Sequence, residues 1–371
     1  MRITAQLNRV ADGYHLWSHS YETQSNDMLA MQDEVANSIT DAIRHIGGGS
    51  PPVIRPPTAN AEALDLYLQG EYQYHLRTPD SLAKAIDLFE AALKKDPNFA
   101  RAYLGIGNAE IAATSLTVIP SDRGIPRARE AAQKAIQLDP TLGDAYGLLA
   151  TVTYVWDWNW NDAEPEFRRA LNLGADADVR ARFGWSLASR GRFAEAHEQL
   201  RLAAEQDPLS IVPPWDEFFT YNFERDAAGQ KKTVARVVQI QPGSISSHLL
   251  EVVMEAGFHD CGALREESAW LNKNYPAVPG TQTALAFAAI CNNNKPEALR
   301  LVTKMRGTQA PHYQLAIVYA MLNERETAIE ELSKSADAHE GQILYIKYEP
   351  FFDKIRSDPR YVALEKRVGL M

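Results

Sequence analysis

Along most of this chain a small residue is followed four positions later by a large apolar one, three positions after that by another small one, and five beyond by proline. Ala85, Phe89, Ala92 and Pro97 form one copy, and Ala196, Leu200, Ala203 and Pro208 form another. In Ala128, Ala132, Ala135 and Pro140 the large slot is itself small. Weaker copies are Ala163, Phe167 and Ala170 with Ala175 in the proline slot, and Gln230, Val234, Val237 and Pro242. Pro140 and Pro208 lie 68 residues apart and Pro208 and Pro242 lie 34 apart, so one phase runs through all of them. Positions three, four and seven apart share one face of a helix. A face that must pack on two neighbours needs small residues where a paired helix approaches, and Ala85, Ala128, Ala163, Ala196, Ala298 and Ala328 supply them. Phe89, Phe167 and Leu200 then fill the layer between units, each burial contributing roughly 1.5–3 kcal/mol. Asp96-Pro97, Asp139-Pro140 and Asp207-Pro208 stop the helix, because proline lacks an N–H and disfavours helical geometry in the residue before it.

The helix preceding each of these has its own marks: Tyr103, Ile106 and Gly107 in one unit, Phe183-Gly184 in another, Ala316 with Tyr319 in a third. Together the two halves resemble the tetratricopeptide (TPR) repeat, a helix–turn–helix unit of about 34 residues. The resemblance implies a mostly α fold, a right-handed TPR-type superhelix, in which 371 residues measure a number of repeats rather than a single core. We expect seven or eight antiparallel helix pairs over 60–345 with no strand among them. Pro97 and Pro140 are 43 residues apart, and the excess over one period falls in Thr114 to Pro126, which we expect to form an edge loop. After Tyr345 the chain reads as a capping segment, 346–371, with a last helix opening at Asp358-Pro359 and carrying Tyr361, Leu364 and Val368.

Residues 1–46 follow another rule. Ile3, Ala5 and Leu7 alternate with polar residues, Ala11-Asp12-Gly13 marks a turn, and Tyr14 to Tyr21 alternates again, which predicts a β-hairpin. Met28, Met31, Val35, Ile39 and Ile43 then keep a helical period. Gly47-Gly48-Gly49-Ser50-Pro51-Pro52 opens a linker over 47–59. Arg2 to Leu7, Gly13 to Ser18 and Gln32 to Val35 resemble the closing part of the TolB-like domain that precedes TPR arrays in bacterial regulators. Leu66 to Gly70, Trp156 to Trp160 and Pro350 to Arg360 continue the likeness. It implies a small N-terminal α/β remnant of a module that elsewhere accompanies winged-helix activators, adenylate cyclases or kinases, none of which is in this chain.

Chemistry is sparse. There is no P-loop, no Gly-x-Ser-x-Gly and no His-Glu-x-x-His. His259-Asp260-Cys261 falls where a repeat turns between helices, and consecutive residues point apart. His15 and His19 sit about 13 Å apart at strand rise, too far to chelate one ion alone. Cys261 and Cys291 offer no disulfide framework and fit a reducing compartment. We therefore expect no enzyme, no cofactor and no metal. A formal charge of −10 without a clustered basic patch argues against direct nucleic-acid binding. No apolar run approaches the 18 residues that span a bilayer, and the first residues lack the apolar core of a secretory signal. The expected compartment is the cytoplasm, or the periplasm if an upstream membrane anchor precedes this chain.

In a TPR superhelix the first helices line the concave face. With Gly70, Gly107, Ala150, Gly184, Ala286 and Ala316 in the glycine slot, the groove-facing neighbours are Tyr67, Glu71, Tyr74, Arg101, Asn108, Asp144, Thr151, Tyr154, Trp185, Phe287 and Tyr313. Mixed aromatic and polar groups of this kind suit an extended peptide or a helix. Leu104 stands where a lysine would be wanted for a carboxylate clamp. Trp156, Trp158 and Trp160 could cage a cation or stack on a base, but filling the turn between paired helices is the favoured role. The expected activity is a non-catalytic scaffold for a protein or peptide partner, with a homodimer as an option. The alternative is the sensory half of a bacterial transcriptional regulator whose DNA-binding part is absent here.

Overall fold

In a computed structural model the described residues are 2–8, 15–22, 35, 38 and 57–370, apart from 117 and 309. Sixteen helices run from residue 61 to residue 337: α1 (Ala61–His75), α2 (Pro79–Lys95), α3 (Ala100–Ser115), α4 (Ser121–Leu138), α5 (Gly143–Val155), α6 (Trp160–Asn172), α7 (Ala177–Ser189) and α8 (Phe193–Gln206), then α9 (Val212–Glu224), α10 (Ala227–Ile240), α11 (Ile245–Phe258), α12 (Cys261–Asn274), α13 (Pro279–Cys291), α14 (Lys295–Gly307), α15 (His312–Met321) and α16 (Arg325–Asp337). Each odd-numbered helix pairs with the next, giving eight helix pairs with no strand between them among the described residues. Every odd helix also packs on the following odd helix, from α1 on α3 through to α13 on α15. The first helices therefore line the inside of the curve.

The repeat pattern predicted where the core would lie. Ala85, Ala128, Ala196, Ala298 and Ala328 have no exposed surface, and Phe89, Phe167 and Leu200 are equally enclosed. Phe89 shows why the slot at Gly70 holds a glycine: a methyl group there would stand 2.6 Å from its ring, and one on Gly105, two residues before the slot in α3, would stand 2.7 Å from it. Capping follows the chemistry of the turns. Thr78 closes a capping box with Ser81 at the start of α2, and Asn159, Asp176, Asp226, Asp260 and Asn294 each accept backbone N–H groups at a helix start. Asp260 acting as a cap agrees with the turn reading of His259-Asp260-Cys261.

Two expectations need correcting. The extra residues between Pro97 and Pro140 do not make a loop through Pro126: α4 starts at Ser121 and contains Gly124 and Pro126, leaving a short connection after α3. Pro126 is the sixth residue of α4, past the first turn, so the helix runs through it without the backbone bond that another residue's N–H would make there. Second, Cys261 and Cys291 are not free thiols; they form a disulfide, with Cα atoms 5.4 Å apart. A separation of 30 residues is almost one repeat, which brings the first residue of α12 beside the last residue of α13. A search for a framework of several bridges overlooks a single link between neighbouring units.

The N-terminal strands β1 (Arg2–Asn8) and β2 (His15–Glu22) pair antiparallel, as the alternation predicts, with Ile3 opposite Tyr21 and Leu7 opposite Trp17. The turn at Ala11-Asp12-Gly13 and the linker's Gly47 to Pro52 lie outside the described residues. Of the helix expected over Met28 to Ile43, Val35 and Ser38 are described, and both are helical.

Beyond α16 the chain turns at His339 in the left-handed region (φ 48°) and folds back as two short 3-10 turns, Gly341–Tyr345 and Pro350–Phe352. The last helix, α17 (Pro359–Arg367), is capped by Asp358, and Tyr361 is fully buried. His339 stacks on Trp158 with centroids 4.4 Å apart, and its ring meets the Trp156 carbonyl at 3.0 Å. The tryptophan cluster is packing, as expected, yet its partner comes from the far end of the chain.

Candidate functional site

The eleven residues predicted for the concave face divide into two groups. Of the first six, Glu71 and Tyr74 on α1 and Asn108 on α3 line an open cavity of about 580 Å³, whereas Tyr67 on α1, Arg101 on α3 and Asp144 on α5 do not. Arg77, Asp176 and Asp178 line it with them. Arg182 of α7 ties the wall across units, donating to the Asn108 Oδ1 at 3.0 Å and to the Tyr74 hydroxyl at 3.4 Å. Arg77 donates to the same hydroxyl at 2.7 Å and to Asp178 at 3.3 Å, its guanidinium lying 4.2 Å from the centre of the Tyr74 ring. Asp144 accepts the backbone N–H of Asp176 at 2.7 Å. The Tyr67 hydroxyl faces Glu71 and Arg101, and its ring leans on Phe99 at 5.0 Å.

Crowding of acids shapes the electrostatics here. Burial pushes the Glu71 carboxyl up to about 7 despite the Tyr67 hydroxyl and Arg101, with Asp176 and Asp178 adding to the rise. Asp176 rises to about 6 for the same reason, next to the Asp144 charge. Asp144 is itself raised by burial. Arg182 stays charged, its affinity for the proton raised by Tyr74, Asp178, Asp176 and Asp216 against the cost of burial. The cavity can thus offer both charge signs and a tyrosine hydroxyl to a ligand.

The second group is covered. Tyr154 on α5 is 1 % exposed, its hydroxyl 2.5 Å from the Ser189 Oγ and its ring against Trp160 and Trp185. Thr151 is buried and bonds the Gly147 carbonyl of its own helix. Phe287 on α13 and Tyr313 on α15 are buried under Phe351 and Phe352, while Trp185 on α7 meets Tyr345 edge-on at 5.3 Å. Sequence reasoning placed these side chains on the right helices but had no signal for what lies over them.

It also missed Arg77, Asp176 and Asp178 and the turn Gln206 to Val212 as the lining of the cavity, and Arg182 as the side chain that braces Tyr74 and Asn108. Arg77 and Asp176 belong to turns (φ 53° at Arg77), where helical periodicity carries no information. Elsewhere, His248 and Glu251 of α11 and Glu267 of α12 place a ring nitrogen and two carboxylate oxygens within 4.8 Å of one another. His248 Nδ1 lies 2.5 Å from Glu267 and its ring stacks on Trp270, while burial and the Glu267 charge push Glu251 up to about 7. This is donor chemistry that a divalent ion could use, and the contact the structure shows there is the His248–Glu267 hydrogen bond. Among the described residues no helix is long and apolar enough to cross a membrane.

Comparison with known proteins gives no matching family model. Human IFIT1, solved as a dimer with m7Gppp-AAAA, aligns over 93% of this chain and 84% of its own, with a TM-score of 0.52 and 15% identity. The fold is a TPR-type α-solenoid. Yeast Tom70 covers 93% of this chain and 78% of its own at 18% identity with a TM-score of 0.47, and the TPR protein YrrB covers 52% of this chain and 97% of its own at 23% with a TM-score of 0.30. By sequence, the transcriptional regulator HilA of Salmonella paratyphi A is 25% identical over 206 residues, 53% of this chain and 35% of HilA, and HilA of Salmonella typhimurium matches over the same extent. The chain spans about a third of the length of the curated relatives it matches.

Proposed function

We propose that this chain is a non-catalytic interaction scaffold that takes a peptide or protein partner on the open portion of its concave face, between α1, α3, the start of α7 and the turn Gln206 to Val212 that leads from α8 into α9. The observation that carries the reading is the 580 Å³ cavity, where Tyr74, Asn108, Arg77 and Arg182 from different repeats are bonded into one wall. A wall preorganised in this way loses little conformational freedom on binding. Tyrosine and arginine are the side chains that most often dominate interaction energies. Of the expected groove residues, Glu71, Tyr74 and Asn108 line this cavity and support the reading.

The test is quantitative capture of a partner. Asn108→Ala and Tyr74→Phe should each weaken it by roughly 1–3 kcal/mol, while the exposed Lys84→Ala and Arg168→Ala on second helices should leave it unchanged. Equal binding by all four variants would remove the open portion from the function. The regulator reading draws on the HilA match and the TolB-like resemblance. It stands if the gene encoding this chain also encodes a DNA-binding domain, and falls if the native polypeptide has none.

A further inference from the structure

We propose that the concave surface formed by α7, α9, α13 and α15 is a second, peptide-type groove whose occupant here is this chain's own segment 341–356, and that the partner it fits is a segment folded in 3-10 turns with aromatic side chains at the spacing of Tyr345, Tyr348, Phe351 and Phe352. The inference rests on the reading of the concave face as an interaction surface and extends it to a different set of helices.

Each aromatic of the segment enters a pocket on the solenoid. Tyr345 sits among Trp185 of α7, Phe219 and Phe223 of α9, with centroid distances of 5.3, 5.5 and 5.4 Å, and lies nearly parallel to Phe219. Tyr348 packs edge-on against Phe193 at 5.2 Å and against the face of Gly191, where a side chain would collide with its hydroxyl. Phe351 meets Phe287 of α13 at 5.5 Å, and Phe352 meets Tyr313 of α15 at 5.6 Å. Arg225, at the left-handed end of α9, clamps the backbone between them: it donates to the Tyr348 carbonyl at 2.7 Å and to both Asp353 oxygens at 2.8 and 3.0 Å. Aromatic anchors held by α7, α8, α9, α13 and α15, with a basic clamp on the main chain, are components of peptide recognition.

The segment also carries its own internal support. Arg356 donates to the carbonyls of Ile346, Lys347 and Glu349, the Tyr361 hydroxyl to the Ile346 carbonyl, and Lys347 to the Leu370 carbonyl. Toward the solenoid it presents ring faces, the Arg225 clamp, the Tyr313 hydroxyl on Glu349 at 3.4 Å, and the fully buried Ile343, Leu344 and Ile346, which join the same core as Phe287 and Tyr313. The clamp is about half exposed, with side-chain exposures of 44% for Arg225 and 50% for Asp353, and burial without a lysine or arginine in direct contact pushes Glu349 up to about 7. Both features leave the segment replaceable by a better-matched chain.

The experiment uses the full chain and a fluorescent peptide of sequence 341–358. In the wild type the internal segment competes, and in Tyr345→Ala and Asp353→Ala it is weakened while the groove is intact. The labelled peptide should bind both variants at least about tenfold more tightly than the wild type, as expected when the competent state rises from a tenth of the molecules toward all of them. A peptide with alanine in place of Tyr345 should not bind. Failure of the native peptide to bind either variant while both melt cooperatively overturns the proposal. So does loss of cooperative melting in both, which would make the segment ordinary core. Asn108→Ala, which tests the open cavity, should leave peptide exchange unchanged, so either reading can fail alone.

Discussion

Phe89 and the two glycines beneath it show what a single position controls in a stacked fold. Gly70 and Gly105 belong to neighbouring first helices, and both press on one fully buried ring. We expect Gly105→Ala to destabilise the chain by roughly 1–3 kcal/mol through overpacking. Adding Phe89→Leu should recover part of the loss, a coupling that a double-mutant cycle in urea would reveal and simple additivity would refute. Glu349 gives a second residue-scale expectation. Its carboxyl is buried beside Tyr313, Asn222 and the Phe351 N–H, with Arg225 further off, and titrates near 7 against an ordinary value of 4.5. A raised folded value means the native state holds a proton that the unfolded chain has released. Stability from this group is therefore present in full below pH 4.5 and is lost as pH rises through 7, by on the order of 3 kcal/mol. Glu71 and Asp176 shift in the same sense. Melting curves from pH 4.5 to 8 should show the decline, and Glu349→Gln should flatten part of it; an unchanged slope in that variant would contradict the assignment.

At the scale of an element, the alternation of small and large residues fixed which face of each second helix is buried, and the Asp-Pro steps fixed where helices α2, α4 and α8 end. Propensity misjudged α4 because Gly124 and Pro126 look like loop residues, yet Gly124 is there for close approach: a methyl on it would collide with Thr114. The Cys261–Cys291 bridge likewise belongs to elements, since it ties the start of α12 to the end of α13. Closing a loop of this length should stabilise the folded state by roughly 3–4 kcal/mol on the chain-entropy account. Reductant or Cys261→Ser should accordingly lower the melting temperature. Intact mass before and after alkylation decides whether the bridge is present in the protein as purified, and two alkylated thiols without reductant would restore the free-cysteine expectation.

For the whole molecule, the uneven filling of the concave face has a consequence for stability. Solenoid units are coupled mainly to their neighbours, but the returning segment adds contacts that join α5, α7, α9, α13 and α15 to the end of the chain. Amides of α7 to α16 should therefore exchange more slowly with solvent than those of α1 to α4, and uniform protection would contradict it. The sequence by itself determined the repeat, the pairing of helices and the buried face of each second helix, because all of these follow from spacing along one or two helices. It also marked Tyr74, Asn108 and Glu71 as groove residues. Only the tertiary structure decided that Tyr154, Trp185, Phe287 and Tyr313 are covered, that Arg182 reaches across to Asn108, and that two cysteines meet. Those facts depend on how far each unit rotates on the last and on where residues 338–358 travel after leaving α16, and a short-range pattern contains neither quantity.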